Sequence, residues 1–207
     1  LAVEVPAAGE RLRRILHLAQ LLQSHALSFF YLSAPDLLLG FDHDPAQRNV
    51  LGLYAANPQA VREGVALRAF GQEIIARLAG KRIHPAWVVP GGVSSPMNPE
   101  TQSFVLAGLP SAFHTVRQTL DLFKTSLDKW SGEIAAFANF PSLYLGLVDA
   151  GDNLEMYDGW LRLVNDKGQE VGRWHPSQYA QAIAEADEPD TYLKSPYYRP
   201  WGTEQGL

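Results

Sequence analysis

The chain is 207 residues long, with 17 Lys and Arg against 22 Asp and Glu, a formal net charge of −5 and no cysteine. That balance speaks against a nucleic acid or an anionic membrane as partner, since both demand a basic footprint. The missing thiols exclude disulfides, thiolate metal sites and cysteine nucleophiles within the span. With 46% hydrophobic and 19% charged residues, the composition is that of a globular chain, either one domain or a large piece of one. Apolar runs such as Leu37-Leu38-Leu39 fall far short of the ~20 residues a bilayer span needs. Glu4 and Pro6 interrupt the start, so no secretory leader is read there and the cytoplasm is the default expectation. The chain opens on Leu1, runs directly into helix-like sequence and stops at Gln205-Gly206-Leu207; it is read as a truncated piece of a longer protein.

Residues 6–33 are expected to form one long helix, because Leu12, Ile15, Leu16, Ala19, Leu22, Ala26 and Phe29 recur at three- and four-residue spacings. Arg11, Arg13 and Arg14 mark a wet surface early in it. From Leu21 onward nearly every side is apolar or small, which places Ser24 and His25 in a buried half. Ser33-Ala34-Pro35-Asp36 is expected to start a helix, and Asp44-Pro45 another, each pairing a cap with a first-turn proline. Pro58 starts a further helix that reaches Ala79, with Gly80 as its C-terminal stop.

The run from Gly80 to Val93 is a constrained connector. Trp87-Val88-Val89 is too short for a helix and rich in β-formers, and Gly91-Gly92 permits backbone that a side chain would block. His84 precedes a proline and is expected to be extended, pointing in a defined direction. Asn98-Pro99-Glu100 caps a new helix, read as two stretches, 99–109 and 111–137, divided at Pro110. Residues 143–174 read as a β-meander of about four short strands separated by turns such as Asn165-Asp166-Lys167-Gly168. Residues 177–186 return to helix, and 189–200 form an extended tail rich in proline and tyrosine. The fold class is therefore mainly α, a bundle of long helices over 6–140 with a small antiparallel β insertion near 143–174.

Candidate chemistry is sparse. His25 reads either as a core histidine bonded to a neighbour or as a group that its helix orients beside a reaction centre; Ser24 divides the same way. His84 reads either as a structural bond to backbone or as a contact to a cofactor or partner. His17, His43, His114 and His175 read as surface or cap residues, and no pair has metal-ligand spacing. Pro90-Gly91-Gly92 lacks a phosphate-loop pattern, and Ser94, Ser95 and Ser111 sit in no nucleophile elbow. Asp36, Asp42 and Asp44 read as caps and turns. Taken by themselves these residues contain no active site.

Several stretches carry a likeness. They are residues 21–38, from Leu21-Leu22-Gln23-Ser24-His25 to Pro35-Asp36-Leu37-Leu38, and Phe70-Gly71-Gln72-Glu73-Ile74-Ile75 running on to His84-Pro85 and Pro90-Gly91-Gly92-Val93. Phe41-Asp42, Asp44-Pro45-Ala46-Gln47-Arg48-Asn49, Leu145-Gly146-Leu147-Val148, Tyr157-Asp158-Gly159 and Tyr192-Leu193-Lys194-Ser195-Pro196-Tyr197 follow in order. In these the chain resembles the large subunit of [NiFe]-hydrogenases, in particular the cytoplasmic NAD-reducing, bidirectional type. The resemblance implies reversible H2 oxidation at a nickel–iron centre. It also implies electron transfer to NAD or NADP through a small subunit with iron–sulfur clusters and flavin-bearing diaphorase subunits.

In that family four cysteines in two CxxC pairs hold the nickel, and this chain has none. The resemblance therefore implies a central fragment that lies between the two pairs, holds no Ni–Fe centre of its own and is inactive alone. By position it puts Ser24 and His25 on the helix passing near the bimetallic site, and His84 toward the small subunit with its nearest cluster. Many relatives carry an aspartate where Ser24 stands, so a carboxylate role does not transfer there. A fragment would expose surface meant for burial, with Phe29-Phe30-Tyr31 as the expected patch for self-association. The alternative is a non-catalytic scaffold, or a subunit like that of quinone oxidoreductases, built on the same fold.

Overall fold

Helix α1 spans Ala7–Leu27 and continues as π-helix through Ser28–Ser33 and Pro35–Leu39 before Gly40, at φ 105°, ends it. The computed structural model describes residues 3–206. The expected helix start at Ser33 is therefore absent. Pro35 brings no N–H and crowds the preceding turn, and the helix passes it by widening to i→i+5 bonding, as in Ala34 N–H to Phe29 O. Residues 41–47 form turns, with the Asp44 carboxylate accepting the Ala46 N–H at 2.9 Å. The next helix, α2 over Val50–Ala56, is capped by Asn49 rather than Asp44. Helix α3 spans Pro58–Ala79, capped by Asn57 and closed by Gly80 at φ 74°. Helix α4 spans Pro99–Lys129 with Pro110 inside it, so the expected division at Pro110 does not occur. A short helix α5, Ser131–Ala136, follows.

The three long helices pack side by side, α1 on α3 and α3 on α4. The first crossing is close. An added Cβ at Gly71 would meet the Ala19 carbonyl oxygen at 2.9 Å, and one at Gly64 would sit 2.3 Å from the Phe30 ring. Contacts that pair rising numbers on α3 with falling numbers on α1 make the two antiparallel. Ala19, Ile74, Ile75, Leu78 and Trp87 form one buried cluster, and Ala26, Phe30 and Leu67 a second. A third, Ala34, Leu53 and Val61, seats α2.

Phe30 is 3% exposed and Phe29 stacks edge-on against both Phe30 and Phe123, so the expected patch at 29–31 is core. Ser24 and His25, expected to be buried, are exposed. Exposed apolar side chains stand elsewhere, notably Leu106, Phe113 and Leu120, seven residues apart on α4. Seven residues is about two turns, so they form one stripe.

The chain divides between Phe137 and Ala138 into two compact units. The second holds a three-stranded antiparallel sheet of β3 (Tyr144–Val148), β4 (Trp160–Val164) and β5 (Glu170–Trp174). Residues 154–157, expected as a strand, contribute only a bridge from Leu154 to Val148. The expected helix over 177–186 is a single 3-10 turn, Pro176–Gln181, and then strand β6, Ile183–Glu188. β6 pairs antiparallel with β7, Thr191–Tyr198. Alternation of Ile183, Ala184, Glu185, Ala186 and Asp187 before the Pro189-Asp190 turn favours a hairpin over a helix. The fold is thus mainly α with small antiparallel sheets, and no helix among the described residues is long and apolar enough to cross a membrane.

Candidate functional site

The connector after α3 is a small hairpin, β1 (Val88–Val89) against β2 (Gly92–Val93), turned at Gly91 and Gly92 with φ 84° and 146°. Both glycines occupy backbone that a side chain disfavours. Trp87 is 3% exposed and enters the cluster of Ala19, Ile74, Ile75 and Leu78. Its indole Nε1–H donates to the Ser95 carbonyl and hydroxyl at 3.0 and 2.9 Å.

Arg13 completes the attachment. Its Nε–H donates to Gly92 O at 3.0 Å and its Nη2–H to Val89 O at 2.7 Å. Each charge-assisted bond of this kind contributes about 1.5–3 kcal/mol, against 0–1 for the exposed Arg13–Glu10 pair at 3.9 Å. The backbone bonds are therefore the ones that matter. The sequence pattern places Arg13 on wet surface, and the structure instead ties it to the hairpin. Gly9, one turn earlier on the same face, lies against Gly92, whose Cα is 3.4 Å from where a Cβ on Gly9 would stand, an ordinary packing distance.

His84 is exposed, at φ 48°, not the extended backbone expected before a proline. It follows the Arg82–Glu73 ion pair of 3.3 Å, which folds the loop back on α3. His25 is exposed near the far end of α1, with Nδ1–H donating to Leu21 O at 2.8 Å, which leaves Nε2 for another group. Ser24 is exposed beside it. From Arg13, which pins the connector, to His25 is twelve residues of helix, about 18 Å. The structure groups Ser24 with His25 and does not bring them together with the connector. His17 and His114 are exposed, and His43 is half-buried. His175 caps the turn at Pro176 through Ser177 N–H, as a cap histidine should.

In the second unit Glu170 accepts from Arg173 and Arg162, which hold its carboxyl below the usual carboxylate range. Asp152 pairs with Arg173 at 2.6 Å, and together the two acids push the Arg173 guanidinium further up. Asp149 is lowered by the N–H groups of Asn153 and Gly151. A cleft of about 580 Å³ in this unit is lined by Phe140, Leu163, Tyr198 and Trp201, with Asn165 and Asp166 as polar walls. Asn165 is committed to its own turn through Lys167 and Gln169 N–H, so no acid–base pair is poised there. Among the described residues, no group of three or more His, Asp or Glu stands together to hold a metal.

No family model matches the chain. The NAD-reducing hydrogenase HoxS subunit beta of Cupriavidus necator is 38% identical over 211 residues, covering 99% of this chain and 43% of that protein. A protein of the F420-non-reducing hydrogenase vhu of Methanocaldococcus jannaschii is 34% identical over 205 residues, covering 99% of this chain and 49% of its own length. The crystal structure of an NAD+-reducing [NiFe]-hydrogenase matches with a TM-score of 0.92 at 38% identity, over 99% of this chain and 46% of that one. The Ni-Fe-Se hydrogenase of D. vulgaris Hildenborough, at 21% identity and a TM-score of 0.70, shares the fold. The chain spans about half the length of the relatives it matches.

Replacing Arg13 by Met keeps the stem and removes the donors. Arg13→Met is expected to lower the unfolding free energy by about 2–4 kcal/mol in urea titration and to speed amide exchange at Ser94, whose N–H bonds Trp87 O. An unchanged midpoint would show that the hairpin is held without it.

Proposed function

We propose that the chain is the central part of the large, catalytic subunit of a [NiFe]-hydrogenase. The identity to the NAD-reducing hydrogenase of Cupriavidus necator over 99% of the chain is the observation that carries this reading. In it the complete subunit oxidises H2 reversibly in the cytoplasm. Electrons pass to NAD or NADP through a small subunit with iron–sulfur clusters and through flavin-bearing diaphorase subunits. Residues 1–207 form one region of that subunit's domain.

These residues do not fit the role of metal ligands. There is no cysteine, and no cluster of other donors among the described residues. The thiolates that a nickel–iron centre takes must come from flanking sequence, so no chemical step is assigned to this chain. What its residues supply is position. His25 is oriented by its bond to Leu21 O and offers Nε2, with Ser24 beside it, to groups packed on that exposed side, where both would serve a metal-bound thiolate. His84 is offered to the small subunit, toward the nearest cluster sulfur.

The 207-residue chain, purified from nickel-replete cells, is expected to hold far less than one nickel by elemental analysis and to consume no H2. The subunit extended by its flanking coding sequence and assembled with its partners is expected to do both. One nickel per 207-residue chain, or flanks that lack two CxxC pairs, would overturn the reading. In the assembled enzyme, His84→Ala is expected to lower turnover about 10–100-fold and to shift the potential of the nearest cluster; both unchanged would remove His84 from electron transfer. Alone, the chain exposes the Leu106, Phe113 and Leu120 stripe and is expected to self-associate. Light scattering should show mass rising with concentration, and a constant 22.9 kDa would refute this.

A further inference from the structure

Arg68 lies in α3 with its Nε buried and without a hydrogen-bond partner. The other partly buried arginines among the described residues are engaged. Arg13 meets backbone carbonyls, Arg48 meets Asp36, Arg162 and Arg173 meet Asp152 and Glu170, and Arg14 has its own partner. No carboxylate among the described residues pairs with Arg68. A buried N–H on a charged group is kept where an acceptor meets it.

Its place in the fold points to what is missing. Arg68 follows Gly64 by four residues and precedes Gly71 by three, so it shares a helix row with both. Gly64 lies under Phe30, and Gly71 under Ala19 and Gln23. Arg68 is thus rooted at the seam where α1 crosses α3. Val65, three residues before it, is an exposed aliphatic side chain at 44%. A cation anchored in a tight seam beside bare apolar surface suits a face that another segment covers. That segment must bring an acid, since the face already holds the cation. The chain spans about half of its relatives' length, so the segment is sought in the same subunit.

We propose that Arg68 anchors a carboxylate side chain carried by a segment of the same subunit outside these 207 residues, packed over the α1/α3 seam. This rests on the reading of the chain as the central part of a longer subunit. The planar guanidinium presents two parallel N–H groups to one carboxylate, which a lysine cannot do.

The test compares one substitution in two settings. In the 207-residue chain, Arg68→Met is expected to leave the thermal midpoint unchanged or raise it by roughly 2–4 °C, because it removes a charge that has no partner. In the complete subunit within its complex, the same change is expected to lower the midpoint by several degrees, with Arg68→Lys recovering part of the loss. Arg68→Glu should then be rescued by a lysine replacing one acid in the covering segment. An equal loss in both settings would assign Arg68 a role inside this chain and overturn the proposal. So would no loss in either, or rescue only from a partner subunit or a second copy of the chain. The comparison reads stability rather than H2 turnover. A complete subunit without nickel would therefore sink the hydrogenase reading and leave the Arg68 result standing on its own.

Discussion

The close antiparallel crossing of α1 and α3 is the constraint on which the first unit depends. Gly71 sits where the Ala19 carbonyl and the Gln23 backbone leave no room for a Cβ, and Gly64 sits under the Phe30 ring. Larger residues there would force helix or ring to move, at about 1–3 kcal/mol each. Because the helices meet so closely, Ile74, Ile75 and Leu78 reach Ala19, and Trp87 packs into the same buried cluster. The hairpin that follows is short and has no core of its own, so it takes its place from Trp87 on one side and from Arg13 on the other. A two-residue strand pair would not hold in water without such attachments.

The same crossing explains why the polar residues of the seam differ in fate. Arg13 lies where the chain supplies carbonyls from its own hairpin, and it is satisfied. Arg68 lies on a stretch where no described residue accepts from its Nε. Native interiors pair nearly all such groups. An orphan beside exposed Val65, and the bare stripe of Leu106, Phe113 and Leu120 on α4, are two separate signs of faces without cover. The first asks for an anion and the second for apolar surface. Both fit a chain that spans half of its relatives.

Much of the helical architecture was legible because periodicity and caps are local. Pro58, Asn98, Gly80 and the long apolar repeats mark α3 and the start of α4 without tertiary knowledge. Where reading failed, packing overrode local chemistry. Pro35 and Pro110 both looked like boundaries, yet each helix runs through, because losing one backbone bond costs less than giving up a packed face. Burial failed for a related reason. An all-apolar half was taken to be wrapped on every side, but Ser24 and His25 face away from α3. Residues 184–187 alternate alanine and acid with period two, the pattern of a strand rather than the helix expected there. The sequence pattern singles out His25, on an apolar helix half, and His84, before a proline, but assigns neither a role. The roles proposed for them rest on family likeness alone.

The two histidines are held by different means, and that bears on what each can do. His25 stands on a regular helix with one ring nitrogen bonded to Leu21 O, so its direction is set at little conformational cost. His84 sits at φ 48°, a region that costs a non-glycine residue about 1–3 kcal/mol and persists only when its surroundings impose it. Those surroundings are identifiable. Gly80 ends α3, Arg82 folds back on Glu73, Pro85 fixes the next φ, and Trp87 is locked into the core. The chain is tethered on both sides of His84 within a few residues, which leaves the loop little freedom to relax. A side chain displayed at the tip of a strained, doubly tethered loop suits recognition by a rigid partner, since the ordering cost is met before the partner arrives. The helix-borne His25, by contrast, is exposed, and under the proposed reading it would be enclosed only when further chain covers α1. Of the two, His84 alone has its backbone fixed by its own neighbours.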